Sequence, residues 1–275
     1  DFVGSRGLGD VYKRQDRNPS APEFIIKLMN EAGFPKGVVN LINGGAETVN
    51  QLLSHDDVDA VSFVGSTPVA KHIYESGTAG GKRVQALGGA KNHMVVLPDA
   101  DIDLAADSAV SAAYGSAGER CMAISVVVAV GEVAEPLVNA ISDRIDNLKI
   151  GPGMQPDSEM GPLISEEHRS RVVDYINSGE AEGATVVCDG RMHSREQKGF
   201  YVGATLLDNV TTDMEVYRDE IFGPVLSVVR VQSFDDALDV IAENQYGNGV
   251  AVFTRDGGTA RPVSYTHLRA HETQR

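Results

Sequence analysis

From residue 19 onward the apolar positions follow two alternating rhythms. Phe24, Leu28 and Ala32 recur every fourth residue, with Ile25 and Met29 beside them, which predicts an amphipathic helix. Ser20 and Glu23 form an S-x-x-E pair that predicts a capping box at its start, and Gly33 and Pro35 stop it. A short apolar stretch at 38–42, closed by Asn43-Gly44, predicts a strand. Residues 46–54 read as a helix and 60–64 as a buried strand. Ser66-Thr67-Pro68 opens a further helix, with a hydroxyl cap and a proline in the first turn. Strands are predicted at 83–87 and 94–97, and an alanine-rich helix at 101–114. The β-branched run 124–130 reads as a strand covered on both faces. Leu137, Ile141, Ile145 and Leu148 line one helical face. A Gly/Pro loop at 150–164 and a polar helix at 166–178 follow. Strands near 185–188, 200–206, 225–231 and 250–254, with a helix at 234–243, complete the pattern. Strand and helix in this alternation predict an α/β fold with a parallel sheet. Residues 1–15 and 262–275 carry no such period.

Composition narrows the function classes. The 275 residues hold 24 Lys plus Arg against 39 Asp plus Glu, a net charge of −15. A field of that sign disfavours nucleic acid and anionic membrane surfaces as partners, and leaves room for an anionic ligand only at a local site. The longest apolar run, 123–130, is far shorter than the ~20 residues of a membrane span. Two cysteines fit a reducing compartment, so a cytoplasmic location is expected. The histidines show no metal-ligand spacing, and no metal is expected.

Few residues carry candidate chemistry. Cys121 ends the segment Gly115-Ser-Ala-Gly-Glu-Arg-Cys121, a glycine-rich turn between a helix and a strand. Such a turn can expose a thiol beside backbone N–H groups, and Arg120 next to it favours the thiolate. A buried structural cysteine fits the same local pattern, and is the expected reading for Cys188, which sits in an apolar strand. Phe63-Val-Gly65-Ser66-Thr-Pro68 is a strand-to-helix turn of the kind that can hold phosphate, or a plain helix cap. Residues 77–82 tempt a P-loop reading, but Ser76 stands where its first Gly is needed and Arg83 where Ser or Thr is required. Glu220-Ile-Phe222-Gly-Pro-Val225 is a turn into a strand that places a carboxylate and an aromatic ring two residues apart.

Together these segments resemble the aldehyde dehydrogenase superfamily. FVGST at 63–67, ALGG at 86–89, GERC at 118–121 and EIFGPV at 220–225 stand in the family's order and spacing. GKRVQALGGAKNHMVV at 81–96 and YGSAGERCMA at 114–123 resemble its CoA-acylating, methylmalonate-semialdehyde branch. The resemblance implies an α/β aldehyde dehydrogenase-like fold, part of a Rossmann-type cofactor domain joined to an α/β catalytic domain. It implies Cys121 as a nucleophile that forms a thioester, with its backbone N–H helping to hold the oxyanion. It implies NAD as cofactor, with Gly65 and Ser66 at the pyrophosphate, Glu220 on the nicotinamide ribose and Phe222 beside the nicotinamide. It implies Arg120 as the partner of a substrate carboxylate. The function implied is oxidation of methylmalonate or malonate semialdehyde to propanoyl-CoA or acetyl-CoA with release of CO2, CoA being the co-substrate, in a homo-oligomer. The compartment would be the mitochondrial matrix if the source is eukaryotic.

The departures from the pattern matter as much. Hydrolytic members carry a Glu where this chain has Ala86, preceded by Gln85, so thiolysis by CoA is expected over hydrolysis. A hydrolytic enzyme using another base is the alternative, and a catalytically incompetent fragment a third reading. The family protein is close to twice this length. Its amino-terminal part, with the Asn of the oxyanion hole and a second carboxylate-binding Arg, has no counterpart here. The resemblance runs from about Arg17 to Arg261. The expected division is therefore non-native sequence at 1–16, the end of a cofactor domain at 17–86, a catalytic domain at 87–261 and a non-native tail at 262–275.

Overall fold

A computed structural model describes residues 10–14, 19–193, 198–259 and 261. Apart from residues 10–14, the expectation of foreign sequence at both ends falls outside them. The chain divides into two compact units, residues 1–88 and 89–275.

The first unit is built from parallel strands and helices. Strand β1 (Asp10–Arg14) pairs in parallel with β2 (Val39–Asn43). β1 lies where no period marks the sequence. Helix α1 (Ser20–Glu31) comes between them, α2 (Ala46–Ser54) follows, and β3 (Ala60–Val64) pairs in parallel with β4 (Arg83–Leu87) across α3 (Thr67–Ala79). Here the structure corrects the expected capping box. Pro19 is the N-cap of α1 and makes no side-chain cap bond; Ser20 is already helical, the Glu23 N–H goes to the Pro19 carbonyl at 3.1 Å, and Glu23 Oε1 accepts from Asn43 Nδ2 at 3.0 Å. The predicted apolar stripe of α1 is also not covered, since Phe24, Ile25 and Leu28 remain exposed. α3 begins where expected, with Ser66 as its extended N-cap and Pro68 in its first turn, but the Ser66 side chain makes no cap bond.

The second unit holds a six-stranded sheet in the order β10-β5-β6-β9-β8-β7. The strands are β5 (Asn92–Val96), β6 (Ile124–Val130), β7 (Thr185–Cys188), β8 (Thr205–Asp208), β9 (Val225–Val231) and β10 (Val250–Phe253). All pairs are parallel except β7 with β8. Helices α4 (Ile102–Tyr114), α5 (Ala134–Asp146), α6 (Glu166–Glu182), α7 (Glu215–Arg218) and α8 (Phe234–Glu243) complete it. The centre of β6, residues 126–129, is wholly buried, as its unbroken β-branched run predicts. Each such valine contributes roughly 1.5–3 kcal/mol of apolar burial. α6 runs four residues past its predicted end, to Glu182, and Gly183 with φ of 111° closes it.

The predicted strand at 200–206 forms only from Thr205. Upstream, the Phe200 carbonyl takes the Leu163 N–H and the Gly203 N–H goes to the Gly190 carbonyl, so both leave the ladder. A Cβ on Gly190 would lie 1.9 Å from the Gly203 oxygen, so the two segments meet at a distance only glycine allows. At the far edge of the core, Arg230 makes a two-pronged bond to buried Asp208, Nε to Oδ1 at 3.0 Å and Nη2 to Oδ2 at 2.5 Å. Replacing Arg230 with Met leaves that carboxylate buried without its partner. Urea unfolding of Arg230→Met should show a loss of about 3 kcal/mol, whereas an Arg169→Met change at the exposed Glu166 pair should cost about 0.5 kcal/mol.

Candidate active site

The segment from α4 to β6 carries Cys121 through a turn that strains its backbone. Ser116, Ala117 and Gly118 are consecutive left-handed residues, with φ of 53°, 54° and 71°. Each non-glycine residue in that region costs of order 1–2 kcal/mol, and such costs concentrate at functional sites. The opposite wall is similar: Phe222 has φ 56°. The two turns touch, because a Cβ on Gly118 would sit 2.2 Å from the Gly223 carbonyl oxygen. Beyond them Cys121 is exposed. Cys121, Arg120, Glu220, Phe222, Asn92 and Ala90 line one cleft of the second unit. Gly65 and Ser66 belong to the first unit, at the start of α3.

Arg120 turns back onto its own helix. Its Nη2 donates to the Ser111 and Ala112 carbonyls at 3.2 and 2.8 Å, in the last turn of α4, where the Ser111 oxygen also takes the Gly115 N–H. Its Nε and Nη1 are not used by those bonds. Glu220 is held by the chain opposite, its Oε1 accepting the Ala90 N–H at 3.1 Å.

The turn around Glu220 is gripped by residues to which the sequence motifs assigned no role. Lys91 is buried, and its Nζ donates to the Val216 and Asp219 carbonyls at 2.7 and 2.5 Å, closing the short helix α7. Tyr175 Oη donates to Asp219 Oδ2 at 3.1 Å, and burial with that carboxylate pushes its hydroxyl up to about 12. His168 lies 2.6 Å by Nε2 from the Phe222 carbonyl, while Arg171 Nη2 is 2.7 Å from its Nδ1. Because the guanidinium can only donate, Nδ1 is the acceptor and Nε2 carries the proton that Phe222 receives. Burial holds the His168 imidazole below its usual range, in keeping with that neutral form. Glu119 Oε1 accepts the Ile164 N–H at 3.3 Å, and burial raises its carboxyl above the usual range. Cys188 is half-buried, with Ser142 Oγ at 3.2 Å from its sulfur, and burial pushes its thiol up. Among the described residues no three His, Cys, Asp or Glu converge as a metal site, and no helix is long and apolar enough to cross a membrane.

A model of the aldehyde dehydrogenase family matches residues 9–267. This chain belongs to that family. The match is wider at both ends than the segment 17–261 that the motifs delimit. Malonate-semialdehyde dehydrogenases of Halalkalibacterium halodurans and Pseudomonas aeruginosa are 49% and 51% identical over 91% of this chain. The chain spans about half the length of the curated relatives it matches, 52% and 51% for these two. The crystal structure of methylmalonate-semialdehyde dehydrogenase from Oceanimonas doudoroffii superposes with a TM-score of 0.91 at 50% identity, over 94% of this chain and 53% of that one. A Sinorhizobium meliloti protein solved in complex with NAD gives 0.91 at 45%, over 94% and 53%. As a family member the chain has its α/β fold, and the motif segments lie in it as turns at strand ends.

Lys91 gives this family chain a measurable signature. Desolvation lowers its amine from 10.5 to about 7, against the opposing pull of Asp219 and Glu220. Between pH 7 and 9 the unfolded chain therefore holds a proton on this amine that the folded chain has begun to release. Stability should rise with pH across that window, with a slope approaching about 1.4 kcal/mol per pH unit from this residue. Urea unfolding at pH 7, 8 and 9 should show the rise, and Lys91→Met should flatten it.

Proposed function

We propose that this chain carries the acyl-transfer half of an NAD-dependent, CoA-acylating dehydrogenase acting on malonate or methylmalonate semialdehyde. The observation that supports it most is the exposed thiol of Cys121 on a strained turn, sharing a cleft with Glu220 and Phe222. The relatives near 50% identity bear the substrate class in their names.

In this reading Cys121 Sγ adds to the aldehyde carbon, and the backbone N–H of Cys121 helps hold the developing oxyanion. The oxidised acyl group stays on Cys121 as a thioester. The substrate carboxylate pairs with the unused Nε and Nη1 donors of Arg120, and departs as CO2 before the thiol of CoA takes the acyl group and frees Cys121. Ala86 on β4 offers no carboxylate to activate water, which favours thiolysis over hydrolysis.

The residues fit NAD. The N-terminus of α3 has no acidic residue in its first turn to repel a pyrophosphate, the Ser66 side chain makes no cap bond there, and Gly65 precedes it. Glu220 is fixed through Oε1, which leaves Oε2 for a ribose hydroxyl. NAD supplies the hydride acceptor when bound.

The test supplies methylmalonate semialdehyde, NAD and CoA to the chain and measures NADH and acyl-CoA together. Stoichiometric propanoyl-CoA that depends on CoA, and its loss below about one-thousandth in Cys121→Ala, is the expected result. Sustained NADH formation without CoA would assign the hydrolytic reaction instead. Acyl-CoA formed by Cys121→Ala would refute the proposal.

A further inference from the structure

The carbonyl oxygen of Cys121 is held from two sides. Asn92, at the start of β5, donates its Nδ2 to that oxygen at 2.9 Å and to the Ala123 carbonyl at 2.8 Å. Asn248, in the loop before β10, donates its Nδ2 to the same Cys121 oxygen at 2.7 Å and lies 3.2 Å from Met122 Sδ. Asn92 is 2% exposed and its Oδ1 accepts the Gly249 N–H at 3.0 Å, so both ends of its amide are engaged. The register of β5 on β6 shifts between Asn92 and His93, so Asn92 stands at an irregularity in the ladder, as residues beside active sites often do.

Neither asparagine touches the sulfur. Both act on the peptide that joins Cys121 to Met122. A carbonyl with two donors in fixed directions cannot rotate without breaking both bonds, and the rotation of that peptide also turns the residue that bears the thiol. One donor comes from the strand before the nucleophile turn in sequence, the other from a segment more than a hundred residues later. The bond between Asn92 and Gly249 ties those two segments together.

We propose that Asn92 and Asn248 are positioning residues for Cys121, a two-donor clamp on its carbonyl that keeps the thiol presented to the cleft. The proposal rests on Cys121 being the acyl carrier. It is separable from that reading, because alkylation of the thiol needs neither NAD nor an aldehyde.

The experiment measures iodoacetamide alkylation of Cys121 and Cys188 in the 275-residue chain by peptide mass spectrometry. Asn248 is exposed, so Asn248→Ala should fold as the parent does. Its Cys121 rate should fall about fivefold, the scale of one lost neutral hydrogen bond, with the Cys188 rate and Tm unchanged. Asn92→Ala should lower both the Cys121 rate and Tm. Asn92→Asp keeps the acceptor for Gly249 and removes both donors, and should slow Cys121 while recovering part of the Tm. The double variant should slow it by a factor different from the product of the single effects, because the two donors share one oxygen. An unchanged or faster Cys121 rate in Asn248→Ala, a parallel change at Cys188, or single effects that multiply in the double variant would overturn the clamp. If the clamp holds but no acyl-CoA forms, the functional reading has failed and the positioning has not.

Discussion

Two backbone turns meet where Gly118 faces Gly223, at a separation that leaves no room for a Cβ. One turn carries the thiol of Cys121, and the other carries Glu220 and Phe222. Their closeness is the constraint from which the cleft follows. It demands left-handed backbone at Ser116, Ala117 and Phe222, which are not glycine, and the surrounding bonds must hold those residues there. The grip comes from the start of β5. Ala90 holds the Glu220 carboxylate, Lys91 holds the backbone of α7, and Asn92 holds the carbonyl of Cys121. Three consecutive residues thus serve both walls.

That economy explains why so polar a stretch is buried. A buried ammonium or amide is costly unless each donor finds an acceptor. Lys91 finds two carbonyls, and Asn92 finds two carbonyls and an N–H. Substituting an apolar residue would relieve desolvation at Lys91 and leave the Val216 and Asp219 carbonyls without this donor. His168 extends the same logic to Phe222, whose carbonyl it anchors from α6.

Much of the fold was legible because burial imprints a period. The run 124–130, the helix 234–243 and the strand 83–87 all formed as their patterns predict. The misses have physical causes. S-x-x-E at Ser20 describes a local possibility, and Glu23 is taken by Asn43 instead. The stripe of Phe24 and Leu28 records a tendency to bury a face, not the presence of what covers it. α7 is four residues long, too short to show a period, and is held by Lys91 rather than by propensity. The motifs singled out Cys121, Arg120, Glu220 and Phe222 as candidates, and the structure brings all four to one cleft. Lys91 and Asn92 lie inside the 81–96 motif but were given no role, and His168 and Asn248 lie in none. Their work is on carbonyl oxygens distant in sequence, and a carbonyl leaves no mark in the residue alphabet. The nearest signal was three polar residues, Lys91, Asn92 and His93, at the head of an otherwise apolar strand.

The central claim is that this arrangement makes Cys121 an acyl carrier that delivers to a thiol. An activated ester such as p-nitrophenyl propanoate tests it without NAD. Peptide mapping after brief exposure, before and after addition of CoA, follows the acyl group directly. The account predicts that Cys121 is acylated at least about tenfold faster than the half-buried Cys188, and that CoA then removes the group as propanoyl-CoA. Equal labelling of the two cysteines, or an acyl group that stays on Cys121 in the presence of CoA, would contradict it.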